Sequence, residues 1–296
     1  MTLTAKHLKD WLILCSVAGG LSILGAAERP VDPTFLKRSV GEAGIAITGF
    51  TTPSCRYQAL FGEGDPESGI VRGVARYGIA TIAPGGHCAA ASYRAEEQIY
   101  FVLEGEGEIR YEGQTTALKR EDFAYLAPGS RHGLSNPTSA PLKVLIIGYK
   151  TPEGRHAAAP AKLPVASVSQ AGKRVLSGHP ASTKYQLLMG DVNSKRDLLA
   201  TAEVLTSLFV MEFDAGGTNH PHHHLKEEEI YIVLEGEGEM AAGGGMDGVV
   251  GRHRVQAGDA YFFRPNCTVG FYAPADAGST KVRILAARSL YPGMKK

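Results

Sequence analysis

Cysteine is scarce in this chain of 296 residues: there are four, and no two form a C-x-x-C pair. That absence argues against a thiolate zinc site. There is no surplus charge of either sign, since 31 Lys and Arg stand against 30 Asp and Glu. Nucleic-acid binding wants a clear basic excess, so that class is set aside. No G-x-S-x-G nucleophile elbow and no phosphate-cradling P-loop occur. Disorder is excluded too, because only 21% of residues are charged and 44% are hydrophobic. Glycine is what the chain has in excess: 36 residues, about 12% against an average near 7%. Spread-out glycine with few long helical patterns predicts many tight turns and an all-β protein. The length predicts roughly two domains at about 150 residues each.

The amino end reads as a leader. Lys6 and Lys9 precede an apolar run over residues 11–24, followed by Gly25, Ala26 and Ala27 and then Glu28. A basic start, a short apolar stretch and small residues at the exit match a secretory signal peptide over residues 1–27. The run is shorter than the roughly 20 residues that span a bilayer, and it lacks the polar face of a buried surface helix. Cys15 follows Leu14 rather than a small residue, so no lipid attachment is read there. The expectation is an exported protein, periplasmic or secreted, with no membrane contact after cleavage. Cys55, Cys88 and Cys267 then remain. An exported protein can carry a disulfide among them, and the sequence alone leaves the pair open.

An internal repeat organises the rest. Residues 97–108 read EQIYFVLEGEGE and residues 228–239 read EEIYIVLEGEGE, ten of twelve identical at an offset of 131. A period that long fits two copies of one domain rather than a solenoid. The GEGE segments read as solvated turns between strands. Short β-rich runs punctuated by Gly, Asp and Pro flank both copies. We place the domains at residues 45–150 and 175–290. Residues 151–174, rich in Ala and Pro, read as a linker leading into an early strand of the second domain or as a strap across both domains.

The second copy carries a cluster of metal-ligating residues. His222 and His224 are two apart, so on a strand they share a side. Glu229 opens the next strand, whose same-face residues are Tyr231 and Val233. Two imidazoles and a carboxylate can hold a divalent metal and leave coordination positions open. Here the sequence resembles the cupin superfamily, whose first motif runs G-x5-H-x-H-x(3,4)-E-x6-G. Gly216, His222, His224, Glu229 and Gly236 fit every element. The resemblance covers both repeats and implies two tandem jelly-roll β-barrels, a bicupin. Glu228 fits the shorter spacing, but only Glu229 also meets the distance to Gly236.

The family's second motif, G-x5-P-x-G-x2-H, supplies a further His. Counting from Gly258 puts Arg264, Asn266 and Val269 at the last three marked positions, so Val269 stands where that ligand would be. Three readings follow: three ligands plus water, a substitute ligand from His220, His223 or Glu228, or a site without metal. The first is favoured. The ion would be one divalent transition metal, Fe, Mn, Zn or Ni.

In the first copy the same register places Ala91, Tyr93 and Gln98 at the ligand positions, while Glu121, Ala127, Gly129 and His132 follow the second motif. Tyr93, Gln98 and His132 could line a pocket, although a satisfied polar cluster in a metal-free barrel is the preferred reading. The resemblance thus implies a metal-dependent enzyme acting on a small molecule, of dioxygenase, isomerase, decarboxylase or aminohydrolase type. The architecture is similar to that of ureidoglycine aminohydrolases, but their ligand pattern is not reproduced. The contrasting expectation is a non-catalytic binder of a small ligand such as a sugar acid, or a structural pair of barrels that can form homo-oligomers. Tyr231, Tyr261 or Phe263 filling the cavity would point that way.

Overall fold

Strands account for nearly all regular structure in the computed structural model, which describes residues 33–294 except 66, 68–69, 154–158, 245–249 and 277–280. The expected leader, residues 1–27, lies outside the described residues. Among these there are twenty strands and one 3-10 turn, Val168–Gln170. The first ten strands are β1 (Phe35–Ser39), β2 (Ile45–Ala46), β3 (Cys55–Gly62), β4 (Val74–Ile82), β5 (Glu96–Glu104), β6 (Glu106–Tyr111), β7 (Gln114–Lys119), β8 (Asp122–Leu126), β9 (His132–Ser135) and β10 (Leu142–Lys150). The remainder are β11 (Val165–Ser167), β12 (Thr183–Asp191), β13 (Leu199–Ala202), β14 (Leu205–Phe213), β15 (Glu227–Glu235), β16 (Glu237–Gly243), β17 (Val250–Gln256), β18 (Asp259–Phe263), β19 (Thr268–Tyr272) and β20 (Val282–Leu290).

Each repeat builds a jelly roll from a large and a small sheet. The first combines the seven-stranded order β11-β8-β5-β10-β4-β3-β2 with the three-stranded β7-β6-β9. The second combines β1-β18-β15-β20-β14-β12-β13 with β17-β16-β19. The outer strands are exchanged. β1 precedes the first repeat but pairs antiparallel with β18 of the second barrel, from Phe35 opposite Phe263 to Ser39 opposite Asp259. β11 precedes the second repeat but pairs with β8 of the first, Val165 opposite Ala124. Each leading strand thus covers a sheet edge of the other barrel, where unpaired N–H and C=O groups would otherwise be exposed. The boundaries read from sequence shift accordingly. Part of the expected linker is an outer strand of the first barrel, and residues 35–39, ahead of the expected start at 45, complete the second. Strands this short carry too few residues for a periodic signal.

Three apolar cores result. One fills each barrel, and the third lies between the two large sheets, where Phe61, Tyr77, Phe101 and Leu145 of one meet Ile230, Phe262 and Leu285 of the other. The large sheets are therefore buried on both faces. This explains why β5 and β15 read as unbroken apolar runs instead of alternating with polar residues. Along β5, Ile99 and Phe101 face the other barrel while Tyr100 and Val102 face inward; along β15, Ile230 and Ile232 face outward while Tyr231 and Val233 face inward.

The outward register begins with an acid in each copy. Glu97 is fully buried and accepts from the backbone N–H groups of Glu203 (2.6 Å), Val204 (3.0 Å) and Leu205 (2.6 Å) in the second barrel. Its repeat partner Glu228 is equally buried and accepts from the Gly73 N–H of the first barrel at 3.0 and 3.2 Å. A Cβ on Gly73 would lie 2.3 Å from Glu228 Oε2, so only glycine admits this approach. Burial pushes both carboxyls up, Glu228 to about 7, against the pull of the backbone donors.

Two outcomes follow. Replacing Glu97 with alanine strands two buried N–H groups and a part-buried one, each buried one costing about 1–3 kcal/mol if left unmet. Urea denaturation should show a loss of at least about 2 kcal/mol, and a loss within the noise of a surface substitution would contradict the role. For Glu228 the native state keeps its proton to about 7 while an unfolded glutamate releases it near 4.5. The folded chain then binds more protons in that window, so this group's contribution to stability falls as pH rises from about 4.5 to about 7. Glu228→Gln, which keeps an acceptor, should remove up to roughly 3 kcal/mol of that slope, measured by urea titrations across the window.

Candidate metal centre

Glu229 follows Glu228 on β15, and strand alternation turns it into the second barrel. The two histidines arrive from the loop between β14 and β15. Gly216 and His220, both at positive φ (68° and 53°), shape this loop. His222 lies in an antiparallel bridge with Val269 of β19. Asn219 ties the loop down. Its Nδ2 donates to Tyr231 Oη at 3.1 Å, and its Oδ1 accepts from the Phe271 N–H at 2.7 Å. Thr183 Oγ1 adds a bond to the Thr218 carbonyl at 2.7 Å.

The ligand atoms of His222, His224 and Glu229 all lie within 4.8 Å of one another. The His220 carbonyl can only accept, so its 2.8 Å contact with His222 Nδ1 places the proton on Nδ1 and leaves Nε2 with its lone pair. His224 Nε2 and Glu229 Oε2 stand 3.3 Å apart as a buried imidazole–carboxylate pair, and neither atom has any other hydrogen-bond partner. Two ligands at about 2.1 Å from one ion and at right angles would sit roughly 3 Å apart. These residues therefore fit a divalent cation on two counts, donor chemistry and the convergence of three ligand atoms within 4.8 Å. Burial works to raise the Glu229 carboxyl, but His224, Arg288 and His222 beside it prevail and hold it below the ordinary range.

The other candidates lie elsewhere. Glu228 points into the interface between the barrels, one register step from Glu229, so it is no auxiliary ligand. His220 and His223 are exposed, and neither joins the triad. Val269 is buried in the barrel core at the place equivalent to His132, since the bridge of Ala91 with His132 repeats that of His222 with Val269.

A cavity of about 90 Å³ adjoins the triad. It is lined by His179, Tyr185, Arg196, Ser207 and Arg288 together with apolar residues such as Leu187. Tyr231 contributes to the wall, while Tyr261 and Phe263 stack on each other in the core, 5.8 Å between ring centres. Sequence reasoning missed His179, Asn219, Arg196 and Arg288. Only Arg288 left a trace, as one of two arginines, with Arg283, in the mostly apolar last strand. His179 Nδ1 contacts Tyr185 Oη at 2.9 Å, and its ring lies 6.1 Å from that of His222. Burial, then the neighbouring His222, lowers its pKa.

The first barrel holds different residues at the same place. His132 is neutral, its pKa pushed down to about 4 mainly by burial. Both its nitrogens are engaged, Nδ1 with the Ser130 carbonyl at 3.0 Å and Nε2 with Tyr100 Oη at 2.9 Å. Tyr93 lies under the Arg76 guanidinium, 4.0 Å from carbon to ring centre. Arg76 grips Glu96 through two bonds of 2.9 and 3.1 Å and also pairs with Glu63. Gln98 Nε2 donates to the same Glu96 at 3.2 Å. Of the three, only His132 is fully bonded, since the Tyr93 hydroxyl and Gln98 Oε1 are buried without a hydrogen-bond partner. Beside it, a disulfide joins Cys55 to Cys88, leaving buried Cys267 outside the pair.

Similarity to known proteins agrees with this architecture. A Pseudomonas aeruginosa structural-genomics target named for glyoxylate induction superposes with a TM-score of 0.69 at 18% identity, covering 91% of this chain and 94% of its own. Protein Ylba from E. coli gives 0.66 at 15% identity over 91% and 97%. The Lactobacillus farciminis oxalate decarboxylase formate complex gives 0.62 at 13% over 86% of each chain. At these identities the likeness concerns the fold alone. In sequence, an uncharacterized Methanocaldococcus jannaschii protein is 30% identical over 81 residues, a stretch that covers 27% of this chain and 65% of that relative, under two thirds of its length. The cupin domain family model matches residues 78–148 and 209–286, one match in each repeat and together half of the chain, so the protein belongs to the cupin family, with two such domains in tandem.

Proposed function

We propose that the protein is an exported, metal-dependent enzyme acting on a small molecule in its second barrel. The observation that carries the reading is the convergence of His222, His224 and Glu229, whose ligand atoms lie within 4.8 Å of one another beside a cavity. His222, His224 and Glu229 would hold one divalent ion, which when bound supplies Lewis-acid polarisation of a substrate oxygen. The chain's own residues do the rest. The His220 carbonyl fixes the tautomer of His222, Asn219 holds the loop against Tyr231, and the apolar lining limits water. A fold neighbour named as an oxalate decarboxylase supports small-molecule chemistry on this scaffold. Export is supported by the disulfide, which persists in oxidising compartments, together with the basic and apolar leader.

Metal analysis of untagged protein beside the His222→Ala/His224→Ala variant tests the site. The wild-type protein should hold close to one equivalent of a transition metal and the variant almost none. Equal content in both would refute the reading.

One observation favours a second reading, that of a non-catalytic binder: Val269 puts an apolar side chain where a fourth ligand would stand. Val269→His should tighten metal binding by roughly tenfold or more, read by chelator competition. If the wild-type protein instead binds metal as tightly as that variant and turns over nothing in a screen of small acids, the binder reading prevails.

A further inference from the structure

Two guanidinium groups face the cavity beside the triad, and they come from separate elements. Arg288 lies on β20 and Arg196 in the loop between β12 and β13. Ser207 brings them together, because its backbone pairs with Arg288 and its Oγ accepts from Arg196 Nη2 at 3.1 Å. We propose that this cavity is a carboxylate subsite, with Arg288 and Arg196 as the recognising groups, and that the substrate is a small carboxylic acid. The proposal rests on the metal reading above and names the class of molecule that site takes.

The first barrel serves as an internal comparison. There Arg76 is consumed by its own chain, with two bonds to Glu96, a further ion pair to Glu63 and Tyr93 beneath it. Arg288 is held more loosely. Its carboxylate contacts, to Glu229 Oε1 and Glu227 Oε2, are both 3.7 Å, its Nη1 is 3.5 Å from His224 Nδ1, it lies over the Phe209 ring at 5.5 Å, and its buried Nε has no closer acceptor. A buried guanidinium donor without an acceptor is costly, and a planar carboxylate supplies the matching pair of oxygens.

Charge and size point the same way. Around the cavity the two arginines meet three carboxylates, Glu229, Glu227 and Asp197. A divalent cation on the triad turns that balance to one positive charge in excess, which one carboxylate neutralises. The volume of about 90 Å³ compares with about 10–15 Å³ for each water-sized group. This admits an acid of a few carbons.

The test uses the full-length mature protein loaded with Mn(II), titrated calorimetrically with lactate and with its neutral isostere lactamide. Lactate should bind at least tenfold more tightly than lactamide. Arg196→Ala and Arg288→Lys should each keep the metal content and weaken lactate at least tenfold, with the lactamide signal unchanged. Metal bound normally, but lactate and lactamide alike or both variants indifferent to lactate, overturns the carboxylate subsite and leaves the metal reading standing. Failure of the wild-type protein to take up Mn(II) or any other divalent ion overturns the metal reading, and the subsite with it. Because the lactate–lactamide comparison is made on the wild-type chain, a variant that fails to fold does not blunt it.

Discussion

Burial of both faces of the large sheets is the constraint on which the rest depends. Once β5 and β15 are sandwiched between a barrel core and the interface, every residue along them is committed to one side, and a shift of one position would exchange the two sets. Glu97 and Glu228 take the interface register, and Gln98 and Glu229 the interior one. The buried acids that reach across to the other barrel therefore fix the register that aims Glu229 at the histidines. Assembly of the two barrels and geometry of the candidate centre are set by consecutive residues of the same strand.

This is also why some of the molecule could be read from the sequence and some could not. The repeated strand, its terminal turn and the H-x-H spacing are local patterns, and they placed both barrels and the triad. The exchange of β1 and β11 is not local. Five and three residues pair with strands more than forty to two hundred positions away, and nothing in their own composition names the partner. The acidic run at residues 227–229 shows the limit within a single motif. Spacing favoured Glu229, yet the role of Glu228 became visible only when Gly73 was found against it. Arg196, His179 and Arg288 belong to three separate elements, and the cavity that unites them exists only in the folded chain.

The two barrels have solved the same local problems with different residues. Behind the histidine loop the second barrel uses hydrogen bonds from Thr183 and Asn219, where the first has the Cys55–Cys88 disulfide. At the mouth, each barrel sets one arginine beside the acid that opens its repeated strand, Arg76 with Glu96 and Arg288 with Glu227. The arginine has changed strands. Arg76 of β4 is opposite Gly148 of β10, whereas Ser207 of β14 is opposite Arg288 of β20. A Cβ at position 148 would fall 2.7 Å from Arg76 Cγ, so glycine there is what lets the first barrel hold its arginine.

That exchange bears on what each mouth lacks. Carboxylates and amides buried at the end of a barrel need a positive partner, because a desolvated anion without one is expensive. In the first barrel the partner is Arg76, a permanent cation seated on Tyr93, bonded twice to Glu96 and paired with Glu63. In the second the arginine stands off at 3.7 Å from Glu229, and imidazoles replace the tyrosine and alanine. Glu229 Oε2 and His224 Nε2 are left facing each other without a bonded donor between them. The electrostatic need is the same in both places. One barrel meets it with a side chain, and the other presents a donor set that an external cation would complete.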